Sequence, residues 1–299
     1  MKNRLSPRGG AGWWVVLAAA AALAGFALAA YAQEGGGAEG KVLRVCADPN
    51  NLPFSHRNQE GFENKIAELF ARDLGWGLDY TWFPQRIGFV RNTLRARDPA
   101  SGNYKCDLIM GLPVGYELAS TTKPYYRSTY ALVYVKGRGL DGVKTPDDLP
   151  RLEGTTLKAL KLGVFAQTPP VDWLLRHGLI GQAVFYQRMS GDPEDYPGEI
   201  IERDLASGRI DAAFVWGPIA GYFAKRLNSP QLAVVPFGRD PEIKFDYPIA
   251  MGVRFGEREW KAQVEQLIER NAPGIRAILE DYNVPLVDDQ GRIIHGRAN

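Results

Sequence analysis

The sequence predicts an α/β protein of two similar lobes, joined by two extended crossings and separated by a cleft. Three observations support this prediction. Apolar runs typical of buried strands alternate with helical patterns, the strand-helix-strand order occurs in both halves of the chain, and extended segments connect the halves. The chain has 299 residues, which suffices for one large domain or two small ones with well-formed cores.

The N-terminal segment is typical of a secretory signal. Three basic residues precede an uncharged run from Trp13 to Ala30, and Ala30-Tyr31-Ala32 fits the small-x-small pattern. We therefore predict a signal peptide over 1–32 and a periplasmic location; a retained anchor is the alternative, although the run is at the short end of the roughly 20 residues that a span requires. A Gly-rich flexible tether is predicted over 33–40.

The charge balance excludes some classes of partner. Removing three basic residues with the signal changes the formal net charge from +2 to 2 − 3 = −1. A nearly neutral chain gives no reason to expect binding to nucleic acid or to a membrane surface.

The first half of the chain is predicted to contain three strands and two helices. The runs "VLRVC", "LDYTWF" and "CDLIMG" are predicted strands. The stretch "FENKIAELFARDLG" is a predicted helix because Ile66, Leu69, Phe70 and Leu74 fall at helical spacing, and Gly75 supplies a stop. A further helix is predicted around "FVRNTLRA". Such a right-handed βαβ series builds a parallel sheet covered by helices.

The second half repeats this plan. Strands are predicted at "LKLGVF", "AVFYQ" and "IDAAFVWGP", and helices at "VDWLLRHG" and "EIIERDLASG". The extended runs "STYALVYVKGRG" and "YPIAMGVRFG" form the two crossings, and the C-terminal helices, broken at Pro273 and Gly274, return to the first lobe. The predicted boundaries are 41–137 with 239–299 for lobe 1 and 138–238 for lobe 2.

The only two cysteines, Cys46 and Cys106, leave two alternatives open. An oxidising compartment favours a disulfide. Strand register argues against it, because Cys46 ends one strand and Cys106 begins another, and these ends lie farther apart than the roughly 4.4–6.8 Å between Cα atoms that a bridge requires. We expect free thiols, so that Cys46→Ser and Cys106→Ser leave thermal stability nearly unchanged.

Loops at the carboxyl ends of the strands define the candidate site. Ligands of open parallel sheets bind outside these ends, and five loops beginning at Asp48, Pro84, Gly111, Gln167 and Trp216 should surround one cleft. The predicted residues for contact with a ligand or partner are Asp48, Asn50, Asn51, Phe54, Glu63, Gln85, Arg86, Gly111, Tyr116, Gln167, Thr168 and Trp216.

Each candidate has a purely structural alternative. Asn50 and Asn51 can close a turn through their own backbone, and Phe54 can pack rather than stack on a ligand. Glu63 is a favourable first-turn acid for the helix that follows. Trp216 can fill the core of a lobe instead of lining the cleft.

The sequence offers little material for catalysis. Its three histidines are widely spaced, and it contains no phosphate-binding loop or nucleophile elbow. We therefore predict a non-enzyme with no catalytic residue, no metal ligand and no cofactor of its own.

Several motifs resemble a known family. The order "VLRVCADPNNLPFS", "GFENKIAELFARDLG", "CDLIMGLPVGYE", "TKPYYRSTYALVYVK" and "ASGRIDAAFVWGP" resembles type II periplasmic solute-binding proteins. More narrowly, "DPNNLPFS", "YTWFPQRIGFVRNTL" and "TTKPYYRSTY" resemble the J component encoded beside quinoprotein methanol dehydrogenases. The resemblance implies two Rossmann-like lobes with a two-strand hinge and an interlobe cleft.

The resemblance also implies a function. An accessory protein of this kind would bind a methanol dehydrogenase, carrying pyrroloquinoline quinone (PQQ) with calcium or a lanthanide, and assist its maturation or activation. Its cytochrome c is a further candidate partner. Partner contacts are predicted at Arg86 and at the cluster Tyr125, Tyr126 and Arg127.

The alternative is the solute receptor of an ABC transporter for a small molecule other than an amino acid. Amino-acid-binding relatives hold a ligand carboxylate with an Arg before the "PYY" run, where this chain reads "GYELASTTKPYY". They also use backbone amides at the start of a second-lobe helix, where Pro169 and Pro170 have no N–H to donate. A small carboxylate ligand is therefore disfavoured.

Overall fold

The computed structural model describes residues 40–187 and 192–295. The predicted signal over 1–32 and the tether up to residue 39 lie outside the described residues. From Val42 onward the described chain forms one compact unit. Within the described ranges, no helix is both long enough and apolar enough to cross a membrane.

The chain alternates strands and helices along its length. The strands are β1 (Val42–Ala47), β2 (Asn50–Asn51), β3 (Ser55–His56), β4 (Gly77–Trp82), β5 (Leu108–Pro113), β6 (Ser120–Val135), β7 (Leu162–Phe165), β8 (Ala183–Tyr186), β9 (Ala212–Trp216), β10 (Leu232–Pro236), β11 (Asp246–Val253), β12 (Leu286–Val287) and β13 (Ile293–His295). The α-helices are α1 (Phe62–Leu74), α2 (Phe89–Asn92), α3 (Gly154–Ala159), α4 (Pro169–Arg176), α5 (Gly217–Arg226), α6 (Arg258–Arg270) and α7 (Ala272–Asp281).

The main sheet contains two sets of parallel strands joined by antiparallel ones. Its order is β4-β1-β5-β11-β6-β9-β7-β8, and β10 also pairs with β6. Strand β1 runs parallel to β4 and β5, and β7 runs parallel to β8 and β9. The 16-residue β6 pairs with β11 along one part and with β9 and β10 along the other.

This topology confirms the predicted fold class. The first lobe is built on β4, β1 and β5, the second on β7, β8, β9 and β10, and strands β6 and β11 join them. The boundaries at residues 137 and 239 stay a prediction.

Apolar side chains form separate cores in the two lobes. Helix α1 contributes Phe62, Ile66 and Phe70, all fully buried, to the first-lobe core, and it ends at Gly75, which has a positive φ of 65°. In the second lobe β9 alternates between two cores: Phe214 belongs to one, and Val215 belongs to the other. This period of two is that of a strand covered on both faces.

Two of the predicted helices differ from the prediction in length or type. The stretch "FVRNTLRA" contains only the four-residue α2, and "EIIERDLASG" contains a π-helix over Ile200–Leu205. Helix α5 was not predicted, because Gly217 and Pro218 were assigned to the end of a strand and the loop after it. Both residues lie in the first turn of α5, where the missing N–H of proline leaves no helical hydrogen bond unmade. The break between α6 and α7 falls at Asn271, with Pro273 in the first turn of α7.

Cys46 and Cys106 form a disulfide with their Cα atoms 5.4 Å apart, so the expectation of free thiols is wrong. In the parallel pairing of β1 with β5, Cys46 lies opposite Ile109. If the chain before β5 simply continued the line of that strand, Cys106 would lie too far from Cys46 for a disulfide. The segment that enters β5 instead lies beside β4, where the hydroxyl of Thr81, the register partner of Cys46, donates to the carbonyl of Lys105 at 2.7 Å. The next residue, Cys106, is thereby placed within reach of Cys46.

Candidate functional site

Asp48 organises the first strand-end loop. Its carboxylate accepts the backbone N–H of Asn50 at 2.8 Å and also the backbone N–H of Gln85. Burial raises the pKa of Asp48, while these two N–H donors and Arg86 act in the opposite direction. The loop after β1 and the loop after β4 are thus tied together, as the strand-end rule predicts.

The two neighbouring asparagines make different contacts. The side chain of Asn51 donates to Gln85 Oε1 at 2.6 Å, within the first lobe. The side chain of Asn50 donates to the carbonyl of Glu194 at 2.9 Å, in the second lobe. The Asx-type turn is made by Asp48, whose carboxylate accepts from Asn50, so the amide of Asn50 serves instead as a bridge between the lobes.

The loop after β1 also fills the space between the lobes with apolar side chains. Leu52 is buried, at 9% exposure, within a core cluster of the second lobe. Phe54 packs against clusters of both lobes, and its ring meets Phe62 edge-on at 5.4 Å. Leu52 was not among the predicted residues, since nothing in "NNLPFS" indicates which side chain crosses to the other lobe.

Glu63 lies at the base of this region, in the first turn of α1. Burial raises the pKa of the Glu63 carboxyl group from 4.5 to about 8. The hydroxyl of Tyr125 acts in the opposite direction, but its effect on this pKa is smaller than that of burial. The Glu63 Oε1 atom is packed against Gly111, which has a φ of 73°; a Cβ at Gly111 would lie 2.5 Å from that oxygen. Neither Glu63 Oε1 nor the Tyr125 hydroxyl, both buried, makes a hydrogen bond of ordinary geometry within the described residues.

Aromatic rings surround this carboxyl group. Tyr125 and Tyr126 meet edge-on at 4.9 Å, and Tyr126 meets Phe62 at 6.0 Å. Burial raises the pKa of both tyrosines, and the charge of Glu63 adds to the effect. Trp216 packs against clusters of both lobes and meets Tyr130 at 5.2 Å. The predicted cleft residues Glu63, Gly111 and Trp216 therefore come together with the predicted partner residues Tyr125 and Tyr126.

The second-lobe loop before α4 contributes little to the cleft. Gln167 is exposed and has a positive φ of 59°. The hydroxyl of Thr168 donates to the carbonyl of Phe165 at 2.6 Å, so it is used within its own loop. Helix α4 begins with Pro169 and Pro170, and the two N–H donors that an anion would use are missing there.

The other predicted contact residues lie at the edge of the first lobe or inside it. The guanidinium of Arg86 stands 5.7 Å from the ring of Phe83, and Tyr116 packs on the cluster that contains the disulfide. Tyr126 is 7% exposed, and Arg127 donates to Asp246 at 2.6 Å. Tyr126 and Arg127 are thus engaged within the chain, and their contact with a partner stays a prediction.

Further contacts between the lobes were not foreseen from the sequence. A Cβ at Gly221 of α5 would lie 1.8 Å from the carbonyl oxygen of Asn283, so the two segments touch through backbone. Beside them Tyr222 stacks on Tyr282 at 5.6 Å, and Lys225 pairs with Asp281 at 2.9 Å. The sequence alone does not indicate this close approach, because the helix that contains Gly221 was itself not predicted.

No family model matches the chain. The chain is 37% identical to the periplasmic binding protein XoxJ from Methylobacterium extorquens AM1, with a TM-score of 0.65, and the match covers 83% of this chain and 100% of that one. The chain belongs to the J-component family of periplasmic binding proteins.

Two further J-component proteins extend this comparison. MxaJ from Methylophaga aminisulfidivorans MPT matches at 25% identity and a TM-score of 0.66 over 82% of this chain and 100% of that one. MoxJ from Paracoccus denitrificans is 29% identical over 82% of this chain and 89% of its own length. Solved amino-acid-binding proteins match at 19 and 20% identity, which shows the fold alone. The solved XoxJ structure is described as that of a periplasmic binding protein.

Within residues 40–187 and 192–295, no group of three or more His, Cys, Asp or Glu is placed to hold a metal ion.

Proposed function

We propose that this protein is a periplasmic accessory factor that binds a PQQ-dependent methanol dehydrogenase and assists its maturation or activation. Its family supports a link to methanol oxidation. PQQ, with calcium or a lanthanide, belongs in this proposal to the dehydrogenase, and a cytochrome c is a further candidate partner. The protein itself performs no catalysis and reaches the periplasm by the predicted signal over 1–32.

One observation of the structure carries the proposal: the first-lobe loop after β1 makes direct contacts of its own with the second lobe. Leu52 belongs to the core of the second lobe, and Asn50 bonds to the Glu194 carbonyl. A solute receptor works by closing two lobes on its ligand. Here the first-lobe loop supplies the apolar and polar contacts that a solute would otherwise make, which favours binding of a protein at the surface over binding of a solute.

One observation favours a solute receptor as a second candidate. Glu63 Oε1 and the Tyr125 hydroxyl are buried polar atoms without an ordinary hydrogen bond in the described chain, and such atoms call for an explanation. A small ligand with hydrogen-bonding groups would provide one. Gly111 lies against Glu63 Oε1 and limits the room for such a ligand.

Affinity capture from periplasm discriminates the two candidates. The mature chain, immobilised through its C-terminus, is incubated with periplasmic extract, and both proteins and small molecules in the eluate are identified by mass spectrometry. The proposal expects a quinoprotein dehydrogenase among the proteins and no stoichiometric small molecule. A stoichiometric small molecule without the dehydrogenase would support the receptor. Calorimetry with amino acids serves as a control, and micromolar binding of any of them would contradict both candidates.

A further inference from the structure

One apolar side chain in the loop after β4 is almost fully exposed to solvent. Ile87 is 86% exposed, whereas the next most exposed large apolar side chains that the structure describes, Leu175 and Phe255, are each 63% exposed. Single exposed apolar residues are common on protein surfaces. What distinguishes Ile87 is the loop that carries it and the surface beside it.

Ile87 occupies the corner of a tight turn. The N–H of Phe89 donates to the carbonyl of Arg86 at 3.0 Å, and Gly88 has φ and ψ angles of 92° and 1°. These angles match the third residue of a type II turn, a position that favours glycine. Ile87 is then the second residue of the turn, so the backbone itself presents this side chain at the tip of the loop.

Hydrogen bonds hold the turn against the first lobe. Before the turn, the N–H of Gln85 donates to the carboxylate of Asp48, and the side chain of Asn51 donates to Gln85 Oε1 at 2.6 Å. On its other side, the side chain of Asn92 donates to the carbonyl of Gly88 at 3.0 Å. A tip that is fixed in advance loses little conformational entropy on binding, which favours affinity.

A second loop covers the same small core and also exposes apolar side chains. Phe89, two residues after Ile87, packs in one cluster with Ala119 from the loop after β5. Val114 and Leu118 of that second loop are 46% and 43% exposed. Three exposed apolar side chains therefore belong to two loops that share a core, which is typical of an interaction surface.

The charged residues nearest to Ile87 in the sequence are basic. Residues 83–92 contain Arg86 and Arg91 and no acidic residue. Asp48 offsets part of the charge of Arg86, whereas Arg91 is exposed and its side chain has no ion pair or hydrogen bond with another described residue. A partner surface that is complementary to this tip has an apolar pocket for Ile87 and carboxylates at the rim of that pocket.

We propose that Ile87 is the apolar anchor of the complex with the dehydrogenase. It enters an apolar pocket of the dehydrogenase, Val114 and Leu118 extend the apolar contact, and Arg91 pairs with carboxylates at the rim. This inference rests on the proposed function, because it assigns the contact surface of that complex. It adds to the contact expected of Arg86 a main source of affinity that is apolar burial rather than charge.

Surface plasmon resonance against the purified dehydrogenase tests the anchor. We expect Ile87→Ser to weaken the complex roughly 10- to 100-fold, because it removes the apolar side chain. Ile87→Leu should bind within about 3-fold of the wild type, because the apolar volume is kept. Leu175→Ser is the matched control, since Leu175 is also highly exposed but lies in α4 of the second lobe, and we expect it to bind like the wild type.

Photo-crosslinking locates the contact independently of affinity. Benzophenone maleimide attached to Ile87→Cys should form a covalent adduct with the dehydrogenase, and the same label on Leu175→Cys should not. Cys46 and Cys106 are joined in the disulfide, so the label reacts at the introduced thiol. Mass spectrometry of the adduct should map the label to a dehydrogenase segment that contains apolar residues together with Asp or Glu.

The two experiments separate this inference from the proposed function. If the wild type binds the dehydrogenase and Ile87→Ser binds equally well, the inference fails and the proposed function stands. The same holds if the label on Ile87→Cys gives no more adduct than the label on Leu175→Cys. If the folded wild-type protein does not bind the dehydrogenase, both are overturned.

Discussion

Glu63 holds a proton at neutral pH because other elements of the fold cover its carboxyl group. Burial raises its pKa from 4.5 to about 8. Between these two values the folded state binds the proton more tightly than the unfolded state, so the contribution of Glu63 to stability is lost as the pH rises through this window. Each pKa unit corresponds to about 1.4 kcal/mol; because local relaxation and water penetration lower the penalty of ionising a buried group, we expect a total of roughly 1–3 kcal/mol.

Glu63→Gln removes this titration and keeps the shape of the side chain. We expect the variant to match the wild type near pH 5 and to be more stable by roughly 1–3 kcal/mol at about pH 8.5. Urea denaturation of both proteins at several pH values measures this difference, and the other titrating groups cancel because both proteins contain them. Parallel stability profiles across the whole range would show that the carboxyl group is ionised in the fold.

Gly111 is required beside this carboxyl group for two separate reasons. Its φ is 73°, and a Cβ would lie 2.5 Å from Glu63 Oε1. Gly115, in the turn just after β5, is a matched control, since its φ is 82° but a Cβ there meets no atom within 4 Å. We expect Gly115→Ala to cost about 1 kcal/mol from backbone strain alone, and Gly111→Ala to cost roughly 2–4 kcal/mol. Equal costs, measured by denaturation, would mean that the side chain of Glu63 moves away freely.

For Glu63, the sequence predicts the position in the fold but not the raised pKa. The position of Glu63 in the first turn of a helix follows from the pattern of "GFENKIAEL". Its raised pKa does not, because the covering groups Gly111 and Tyr125 come from β5 and β6.

At the scale of elements, the disulfide ties β1 to the segment that enters β5. Cys46 and Cys106 are separated by 60 residues and are at most 4% exposed. A loop of this length stabilises the fold by about 4 kcal/mol in the chain-entropy estimate. We expect Cys46→Ser and Cys106→Ser each to lose roughly 2–4 kcal/mol under oxidising conditions, and the reduced wild type to resemble them. Guanidinium denaturation with and without reductant measures this, and unchanged stability would contradict it.

The loop between β4 and α2 is the element that we expect to contact the dehydrogenase. Arg86 stands over Phe83 in this loop, and the adjacent Ile87 is 86% exposed. Arg86→Ala should weaken the complex by roughly 1–3 kcal/mol, about 5- to 150-fold in affinity, because arginine often dominates interface energies. Arg95→Ala is the control, since Arg95 is an exposed arginine of the same lobe outside this loop.

Arg127 is less suited to this test than the sequence suggested. It donates to Asp246, and both side chains are largely buried, at 23% and 21% exposure. Its removal leaves a partly buried carboxylate without its partner, so a change in affinity would mix binding with stability. If Arg86→Ala and Arg95→Ala bind equally well, the loop after β4 does not belong to the interface.

Most elements could be predicted because their signals are local. Helix α1 and strands β1, β4 and β7 follow from apolar periodicity and glycine stops within a few residues. The disulfide could not be derived, because it depends on the contact that the segment before β5 makes with Thr81 of β4. Helix α5 was missed because a proline in the first turn of a helix has the same sequence pattern as a proline that ends one.

At the scale of the whole molecule, two sets of contacts hold the lobes together. In the cleft, the loop after β1 reaches the second lobe through Leu52 and Asn50. Elsewhere, α5 lies against the segment after α7, where Tyr222 stacks on Tyr282. The two-lobed fold was predictable from the repeated βαβ order, but these contacts join residues far apart in the sequence. They favour a protein that presents a fixed surface over one that closes around a solute.

Surface plasmon resonance between the mature chain and a purified PQQ-dependent methanol dehydrogenase tests the central claim most directly. We predict saturable binding by the wild type, the same affinity for the Arg95→Ala control and a weaker complex for Arg86→Ala. An absence of binding by the folded wild-type protein, with the dehydrogenase in both its mature and cofactor-free forms, would contradict the account.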